Sequence, residues 1–209
     1  MTNIIAPQEL KTSESTSNLL SSMWRSNAIH QIATLKNGNF KNIPVKSIPD
    51  ALKLAENFTE DGFDVYFACA EFKTDTNRKA DNALGAWGYW FDIDCGIEKA
   101  KKGAGYATKK EANTAFLNFI KQTKLPYPDF VVDSGNGLHI YFCSEVFIPT
   151  TDWKNGADKL KALTKHYRLL ADDSRTADIA SVLRFPNTKN YKDISNPKQV
   201  RVFYPKGSV

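Results

Sequence analysis

The hydrophobic and polar positions of this chain alternate with the period of a strand in several short runs. The clearest of these runs extends from Ala86 to Asp94 and ends in alternating apolar and acidic residues. Because residues i and i+2 of a strand point to the same face, Asp92 and Asp94 are predicted to stand side by side, with Phe91 and Ile93 in the core. Two adjacent carboxylates repel each other, and a divalent cation with its preference for oxygen ligands fits such a pair. Two solvated acids at a strand end are the alternative.

Further strands are predicted where β-branched and aromatic residues cluster between turn signals. The predicted ranges are 64–70, 130–134, 138–142 and 200–204, with two short extended runs around the Asn37-Gly38-Asn39 turn. The Gly-Asn-Gly turn at 135–137 predicts a hairpin of the two middle strands. In the second strand of this hairpin, Leu138 and Ile140 are expected on one face and His139 on the other.

Helical periodicity is clearest after Thr108, which has the spacing of a capping box with Glu111. Apolar residues follow at i, i+3, i+4, i+7 and i+8, namely Ala112, Ala115, Phe116, Phe119 and Ile120. Two further helices are predicted at 50–58 and 153–167. Because strands and helices mix without regular βαβ alternation, the predicted fold class is α+β, a mainly antiparallel sheet with packed helices.

The remaining segments are predicted to lie outside regular elements. Residues 71–82 are expected to form a polar, basic loop, and residues 171–193 an irregular segment. Residues 1–22 are rich in Ser, Thr and Asn, which favours a mobile N-terminal arm or a peripheral helix. The predicted domain organisation is therefore an arm at 1–22 and one catalytic domain at 23–209.

Composition adds little to this prediction but excludes some classes of protein. A chain of 209 residues with 42% hydrophobic residues can bury a core, and 28 Lys and Arg against 23 Asp and Glu give a net charge of +5. This excess favours an anionic partner. The 3 cysteines lack CxxC spacing, as in reduced cytoplasmic proteins. No apolar run reaches the length of a membrane span, and we expect a soluble, intracellular protein.

Two further segments carry residues suited to phosphate chemistry. In 134–139, a Ser hydroxyl, the backbone N–H groups of a glycine turn and an outward His can bind phosphate oxygens. The alternative is a turn that only joins two strands. The segment 172–192 supplies acids and then Arg184, Lys189 and Lys192, a mixture that suits phosphoryl transfer. Its alternative is a surface loop with scattered charges.

In this order, the three segments resemble the motifs of the archaeo-eukaryotic primase superfamily. The nearest group is the primase-polymerase catalytic domains of phages, plasmids and bacterial mobile elements. The resemblance extends from about Tyr66 to Lys192 and implies a compact core with a sheet like that of RNA-recognition motifs. One departure is Asn187, where relatives usually have Gly in a Pro-Gly-Thr turn. Since Asn tolerates a positive φ, the turn is expected to be kept.

The resemblance also implies an activity and a role for each motif residue. The activity is template-dependent nucleotidyl transfer from dNTPs or NTPs to a 3′-hydroxyl, with two Mg²⁺ or Mn²⁺ ions. Asp92, Asp94 and Asp178 are implied as catalytic metal ligands, and Asp172 and Asp173 stay open as the third acid. The implied nucleotide-binding residues are Ser134, Gly135, Gly137, His139, Arg184 and Lys192. Those implied for nucleic acid are Arg78, Lys79 and Lys189.

The implied partners are a single-stranded DNA template, a primer and, in a longer parent chain, a helicase or accessory domain. No membrane partner is expected, and the implied setting is the cytoplasm, in bacterial, plasmid or phage replication. Two other functions compete with this one. A metal-dependent glycosyltransferase would also use the acid pair, but it leaves the Ser-to-His strand and the basic third segment unexplained. A catalytically inactive nucleic-acid-binding module would explain the basic residues, but not the intact acids.

Overall fold

The structure is a computed structural model, and it describes residues 12–25 and 27–203. Its helices are α1 (Thr12–Met23), α2 (Ile48–Glu60), α3 (Ile97–Lys101), α4 (Lys109–Thr123), α5 (Thr150–His166) and α6 (Asp173–Ala177), with a 3-10 turn at Ala80–Asn82. Its strands are β1 (His30–Lys36), β2 (Asn39–Val45), β3 (Asp64–Ala68), β4 (Ala70–Phe72), β5 (Ala83–Asp94), β6 (Phe130–Asp133), β7 (Gly137–Pro149), β8 (Val182–Arg184), β9 (Lys189–Asn190), β10 (Lys198–Gln199) and β11 (Arg201–Phe203). In these ranges no helix is long and apolar enough to cross a membrane.

The strands form two antiparallel sheets and a short ribbon. One sheet has the strand order β2-β1-β3-β8, the other has the order β11-β6-β7-β5-β4, and β9 pairs with β10. Neighbouring strands in both sheets are antiparallel. Since helices pack against mainly antiparallel sheets, the predicted α+β class is confirmed.

Strand β5 separates two hydrophobic cores, as its alternation predicts. Phe91 and Ile93 lie in the core beneath α4, where the ring of Phe91 meets that of Phe119 edge-on at a centroid distance of 5.8 Å. The neighbouring Trp90 belongs to the other core, which joins the two sheets. Asp92, two residues after Trp90, therefore stands on the face that looks towards the four-stranded sheet.

The capping signals predict helix α4 correctly. The hydroxyl of Thr108 accepts a hydrogen bond from the backbone N–H of Glu111 at 3.2 Å, and the Glu111 carboxylate accepts one from Ala107 N–H at 3.2 Å. The helix ends at Lys124, whose φ is +59°. The predicted helices at 50–58 and 153–167 are confirmed as parts of α2 and α5.

The strand predicted at 64–70 is confirmed for 64–68 as β3, but its end is wrong, because the chain passes from one sheet to the other at this point. Strand β3 pairs with β1 and β8 in the four-stranded sheet, whereas β4 pairs with β5 in the five-stranded one. Cys69 separates them and donates its N–H to Ser181 O at 3.3 Å. The predicted loop 71–82 is also shorter than expected, since Glu71 lies buried in β4. The apolar pattern of this run fits a strand in either sheet. Its periodicity therefore does not reveal where the chain passes from one sheet to the other.

The prediction of an irregular segment at 171–193 is wrong in part, since it contains α6, β8 and β9. The Asp172 carboxylate caps α6 by accepting hydrogen bonds from the N–H groups of Ser174 at 2.8 Å and Arg175 at 3.1 Å. Strand β8 pairs with β3. These elements are only 5, 3 and 2 residues long. They are therefore too short to show a hydrophobic period, and tertiary contacts hold them in place.

The N-terminal helix α1 packs on the core. Leu19, Leu20 and Met23 have no exposed surface. Residues 1–11 of the predicted arm lie outside the described part of the chain, as does Tyr204 of the predicted last strand, which forms as β11.

Candidate active site

The pairing of β5 with β7 brings the first two sequence motifs together. In this register Asp92 lies opposite His139, and Asp94 lies opposite Gly137. The Nε2 atom of His139 is 3.7 Å from Oδ1 of Asp92, so the two side chains are neighbours without a hydrogen bond. The close approach depends on Gly137, because a Cβ there would lie 2.4 Å from the carbonyl oxygen of Ile93.

A cavity of about 330 Å³ opens between the two sheets above this pair. Its volume falls in the range of small-molecule sites. It gathers side chains from both sheets and from the third sequence segment. The lining residues that sequence analysis singles out are Asp92, Asp94, Ser134, His139, Arg184 and Lys192.

The acid pair is held at an electrostatic cost. Burial, and then the charges of Asp94 and Asp172, raise the pKa of Asp92 from 3.8 to about 7, against the lowering effect of Arg175 and Lys99. Lys99, from α3, forms an ion pair with the Asp94 carboxylate. A cation placed beside this pair would favour the charged form of Asp92.

His139 lies beside these acids as a neutral group. Burial, followed by the charges of Arg184 and Arg175, lowers the pKa of His139 from 6.5 to about 3. Its Nδ1 atom is buried and has no hydrogen-bond partner among the described residues. An unpaired buried nitrogen is costly, so this side chain is held in place at the expense of a hydrogen bond.

The turn between β6 and β7 is fixed by side chains from distant parts of the chain. Asn190 donates its Nδ2 hydrogen to Ser134 O at 2.7 Å, and Lys198 Nζ donates to Asn136 Oδ1 at 2.6 Å. The N–H of Gly135 donates to Asp133 Oδ1 at 2.8 Å, so this amide serves the turn itself. The predicted nucleotide-binding role of Gly135 and Gly137 stays a prediction.

We predict that Gly135→Ala destabilises the protein through this turn. Gly135 has a φ of +88°, and a Cβ there would lie 2.9 Å from Cβ of Lys198. The left-handed backbone costs a non-glycine residue about 1–2 kcal/mol, and the close contact adds about 1–3 kcal/mol. The measurement is the free energy of unfolding in urea.

Gly103→Ala is the matched control for this change. Gly103 also has a positive φ, +65°, but nothing lies within 4 Å of a Cβ placed there. It should lose only the backbone share of the free energy of unfolding. An equal loss in the two variants would show that the contact with Lys198 adds nothing to the cost of Gly135→Ala.

Arg184 is held rigidly at the wall of the cavity. It forms an ion pair with the buried Asp64, and its guanidinium lies 4.9 Å from the ring centroid of Tyr66. Asp64 also accepts a hydrogen bond from Tyr191 N–H at 2.7 Å, next to the exposed Lys192. A guanidinium fixed in this way is prepared to receive an anion.

The other predicted site residues lie away from the lining of this cavity. Asp178 is exposed, and its charge acts on Arg78, whose pKa is lowered by burial and partly restored by Asp178. Lys79 and Lys189 are exposed. The roles of these four residues stay predictions.

Sequence analysis gave no role to several residues that line this site. Arg175 lines the cavity from α6, and Tyr66, Asn190 and Phe40 line it from β3, β9 and β2. An Asp before a helix is a capping signal, so Asp172 could have indicated a helix that begins there. Such a helix places Arg175 about one turn after the cap. The helix has only 5 residues, so the sequence after Asp172 shows no helical period.

The donors present fit one divalent cation better than two. Asp92 and Asp94 supply oxygen ligands of the kind that Mg²⁺ and Mn²⁺ prefer, and the raised pKa of Asp92 indicates an unmet need for positive charge. Within residues 12–25 and 27–203, however, no three His, Cys, Asp or Glu side chains lie grouped as a ligand set. A third protein ligand would have to move towards this pair.

Comparison with known proteins gives matches in structure and none in sequence. No protein-family model matches the chain, and no curated protein does. Among solved structures, the AEP domain of the cyanophage S-2L primase-polymerase (PrimPol) superposes with a TM-score of 0.65 at 12% identity, covering 93% of this chain and 91% of that one.

The primase RepB′ superposes with a TM-score of 0.57 at 16% identity, over 94% of this chain and 57% of that one. The catalytic domain of RepB′ in complex with initiator DNA superposes with a TM-score of 0.52 at 13% identity, over 95% of this chain and 86% of that one. These likenesses show the fold, which is the one seen in the AEP domain of that primase-polymerase and in RepB′, and it is the fold that the resemblance of the sequence motifs implied.

Proposed function

We propose that this chain, which has the fold of the archaeo-eukaryotic primase-polymerases, is a template-dependent primase-polymerase. It would transfer a nucleotide from a dNTP or NTP to a 3′-hydroxyl and release pyrophosphate. The observation that carries this proposal is the cavity in which Asp92 and Asp94 face Ser134 and His139 beside Arg184. Acids for a cation and donors for phosphate oxygens thus meet in one place.

The cavity has the charge distribution that a nucleoside triphosphate with a bound cation requires. The acids of β5 stand on one side, and Arg175, Arg184 and Lys192 line the same space. Phosphoryl transfer needs little covalent chemistry from the protein, and positioning with charge neutralisation suffices. No protein nucleophile is therefore required, since the attacking hydroxyl comes from the primer or the first nucleotide.

Asp92 and Asp94 would hold a Mg²⁺ or Mn²⁺ ion, and the prediction from sequence adds Asp178 as a third ligand and a second ion. A bound divalent ion lowers the pKa of a coordinated hydroxyl and stabilises the charge of a leaving pyrophosphate. Asp172 is the rival third acid, and its charge acts on Asp92. Asp172 N–H also donates to Asp92 O at 2.7 Å.

The other residues of the cavity would bind and orient the triphosphate. Ser134 offers a hydroxyl donor, and the neutral His139 can donate one N–H to a phosphate oxygen. Arg184, fixed by Asp64 and Tyr66, would neutralise phosphate charge without having to reorganise. Lys192 is exposed at the rim and can close on the ligand.

An inactive nucleic-acid-binding module is the second candidate, and one observation favours it. Lys99 already pairs with Asp94, and no third ligand joins the acids among the described residues. In such a module Lys99 would replace the metal permanently. DNA binding would then survive without nucleotide incorporation.

Primer extension separates the two candidates. The purified chain is incubated with Mg²⁺ or Mn²⁺ and a labelled primer on a DNA template that leaves one base unpaired. Each of the four dNTPs or NTPs is supplied in a separate reaction. Our proposal predicts that only the nucleotide complementary to the template base is added and that a chelator stops the reaction. DNA binding without any incorporation in either metal would favour the inactive module, and template-independent addition would contradict both.

A further inference from the structure

One face of the four-stranded sheet carries an aromatic surface that the proposed chemistry leaves unused. Phe40 of β2 lies opposite Leu35 of β1, and Tyr66 of β3 lies opposite both Ala33 and Arg184. Opposite residues in an antiparallel pair share a face, and so do residues i and i+2 of one strand. Phe40 and Tyr66 are therefore on the same face, on either side of strand β1.

Each of the two rings has an arginine beside it. The ring centroids of Phe40 and Tyr66 are 6.2 Å apart. The guanidinium of Arg78 lies 5.8 Å from the Phe40 ring centroid, and Arg184 lies 4.9 Å from that of Tyr66. Arg78 is oriented by a hydrogen bond from its Nε to Asn42 Oδ1 at 3.0 Å.

Phe40 is the more open of the two rings. It is 44% exposed, whereas Tyr66 is partly buried. Phe40 lies on the edge strand β2, next to the oriented guanidinium of Arg78. Proteins bind single-stranded nucleic acid with exposed aromatic rings next to cations, because bases stack on the rings while phosphates contact the cations.

This surface is continuous with the candidate active site. Leu35, Phe40 and Tyr66 line the same cavity as Asp92 and His139. The phosphate-binding groups therefore form one wall of the cavity, and the aromatic residues form the other. A strand that crosses the aromatic wall would present its base beside the triphosphate.

We propose that Phe40 stacks on a base of the single-stranded template and that Arg78 binds the adjoining phosphate. This inference rests on the proposed function, since it names where the template lies at that site. Phe40 is assigned to the template because it lies on edge strand β2 with its ring open to solvent, whereas the phosphate-binding groups lie on β7 and β8. Tyr66, covered by Arg184, would form the floor of this surface.

The test is the affinity of Phe40→Leu for a fluorescent single-stranded oligonucleotide, measured by anisotropy in a chelator without nucleotide. Leucine keeps the apolar contact but removes the aromatic face. Loss of one stacked base should weaken binding roughly five- to a hundredfold, and Phe40→Trp should bind at least as tightly as the wild type.

Tyr127→Leu is the matched control, since Tyr127 is a 65% exposed aromatic residue outside the cavity lining. Its DNA affinity should equal that of the wild type. Unchanged DNA affinity in Phe40→Leu would overturn the inference, and so would a rise only in the KM for the incoming nucleotide.

This readout is independent of catalysis. If the wild type fails in primer extension but Phe40→Leu still weakens DNA binding, the stacking site stands and the proposed activity falls. If extension succeeds and Phe40→Leu binds DNA normally, the activity stands and the stacking site falls. A wild-type chain without affinity for single-stranded DNA would also overturn the stacking site.

Discussion

Replacing Asp92 and Asp94 together by asparagine is expected to abolish nucleotide incorporation, with a loss of about a thousandfold or more. In the proposed reaction the protein supplies position and charge, and these two carboxylates supply the negative charge that binds the cation. Asparagine keeps the shape of the side chain and its place opposite His139 and Gly137. The sheet should therefore stay intact while the charge is lost.

The measurement is single-turnover primer extension in Mn²⁺, together with DNA binding in a chelator. The double variant should lose incorporation while its DNA affinity stays equal to that of the wild type or rises, because two negative charges that repel the DNA backbone are removed. Retained incorporation at the wild-type rate would contradict the assignment of the acids. Loss of both activities, with an altered circular dichroism spectrum, would instead indicate misfolding, and Asp92→Asn alone then serves as the test.

The third acid is decided in the same assay by Asp172→Asn and Asp178→Asn. Asparagine caps a helix about as well as aspartate does, so Asp172→Asn keeps the cap of α6 while it removes a charge near Asp92. The sequence motifs predict the large loss of incorporation for Asp178→Asn. The charge of Asp172, which acts on Asp92, favours Asp172 as the third ligand instead. Whichever variant loses incorporation identifies the ligand.

The second large effect is on stability, which Asp92→Asn is expected to raise at pH 8 in the absence of metal. The pKa of Asp92 is raised from 3.8 to about 7, above its value in the unfolded chain. Between these pH values the folded protein keeps a proton that the unfolded chain releases. The stability of the wild type therefore falls as pH rises from about 4 to 7 and then levels off.

Asparagine does not titrate at this position, so the stability of the variant does not fall between about pH 4 and 7. The expected gain at pH 8 is about 2–4 kcal/mol, since each unit of pKa shift corresponds to about 1.4 kcal/mol. The gain should vanish near pH 4. Urea unfolding at the two pH values measures it, and Asp178→Asn, at an exposed site, should change stability by less than about 0.5 kcal/mol at either pH.

Added Mn²⁺ at pH 8 should reverse the order of stability. A cation that binds the folded state stabilises the wild type by mass action, and Asp92→Asn loses that effect. A variant that is equally or less stable than the wild type at pH 8 in chelator would show that Asp92 carries no such strain.

Sequence reasoning succeeded where local chemistry and structure agree. The alternation in β5 predicted which face carries Asp92, and the capping box predicted α4 from Thr108 onward. Asn187, the one departure from the motif, has a φ of +62°, so the predicted turn is kept. Each of these features is decided by a few neighbouring residues.

It failed where a contact from a distant part of the chain decides the structure. The passage between the two sheets at Cys69 is set by pairing with β1 and β5, which the run itself does not encode. Arg175 enters the site because Asp172 begins a helix of 5 residues, which is too short to show a period. In the sequence, Phe40 has the pattern of an ordinary strand residue. Only the folded sheet brings its ring close to that of Tyr66.

The most direct test of the account is a crystal soaked with Mn²⁺ and a non-hydrolysable nucleoside triphosphate, with anomalous diffraction recorded for manganese. The account predicts an anomalous peak between the carboxylates of Asp92 and Asp94, and phosphate density against Ser134 and His139. Lys99 should then have left Asp94. A triphosphate bound outside this cavity, or manganese that avoids both acids, would contradict the account.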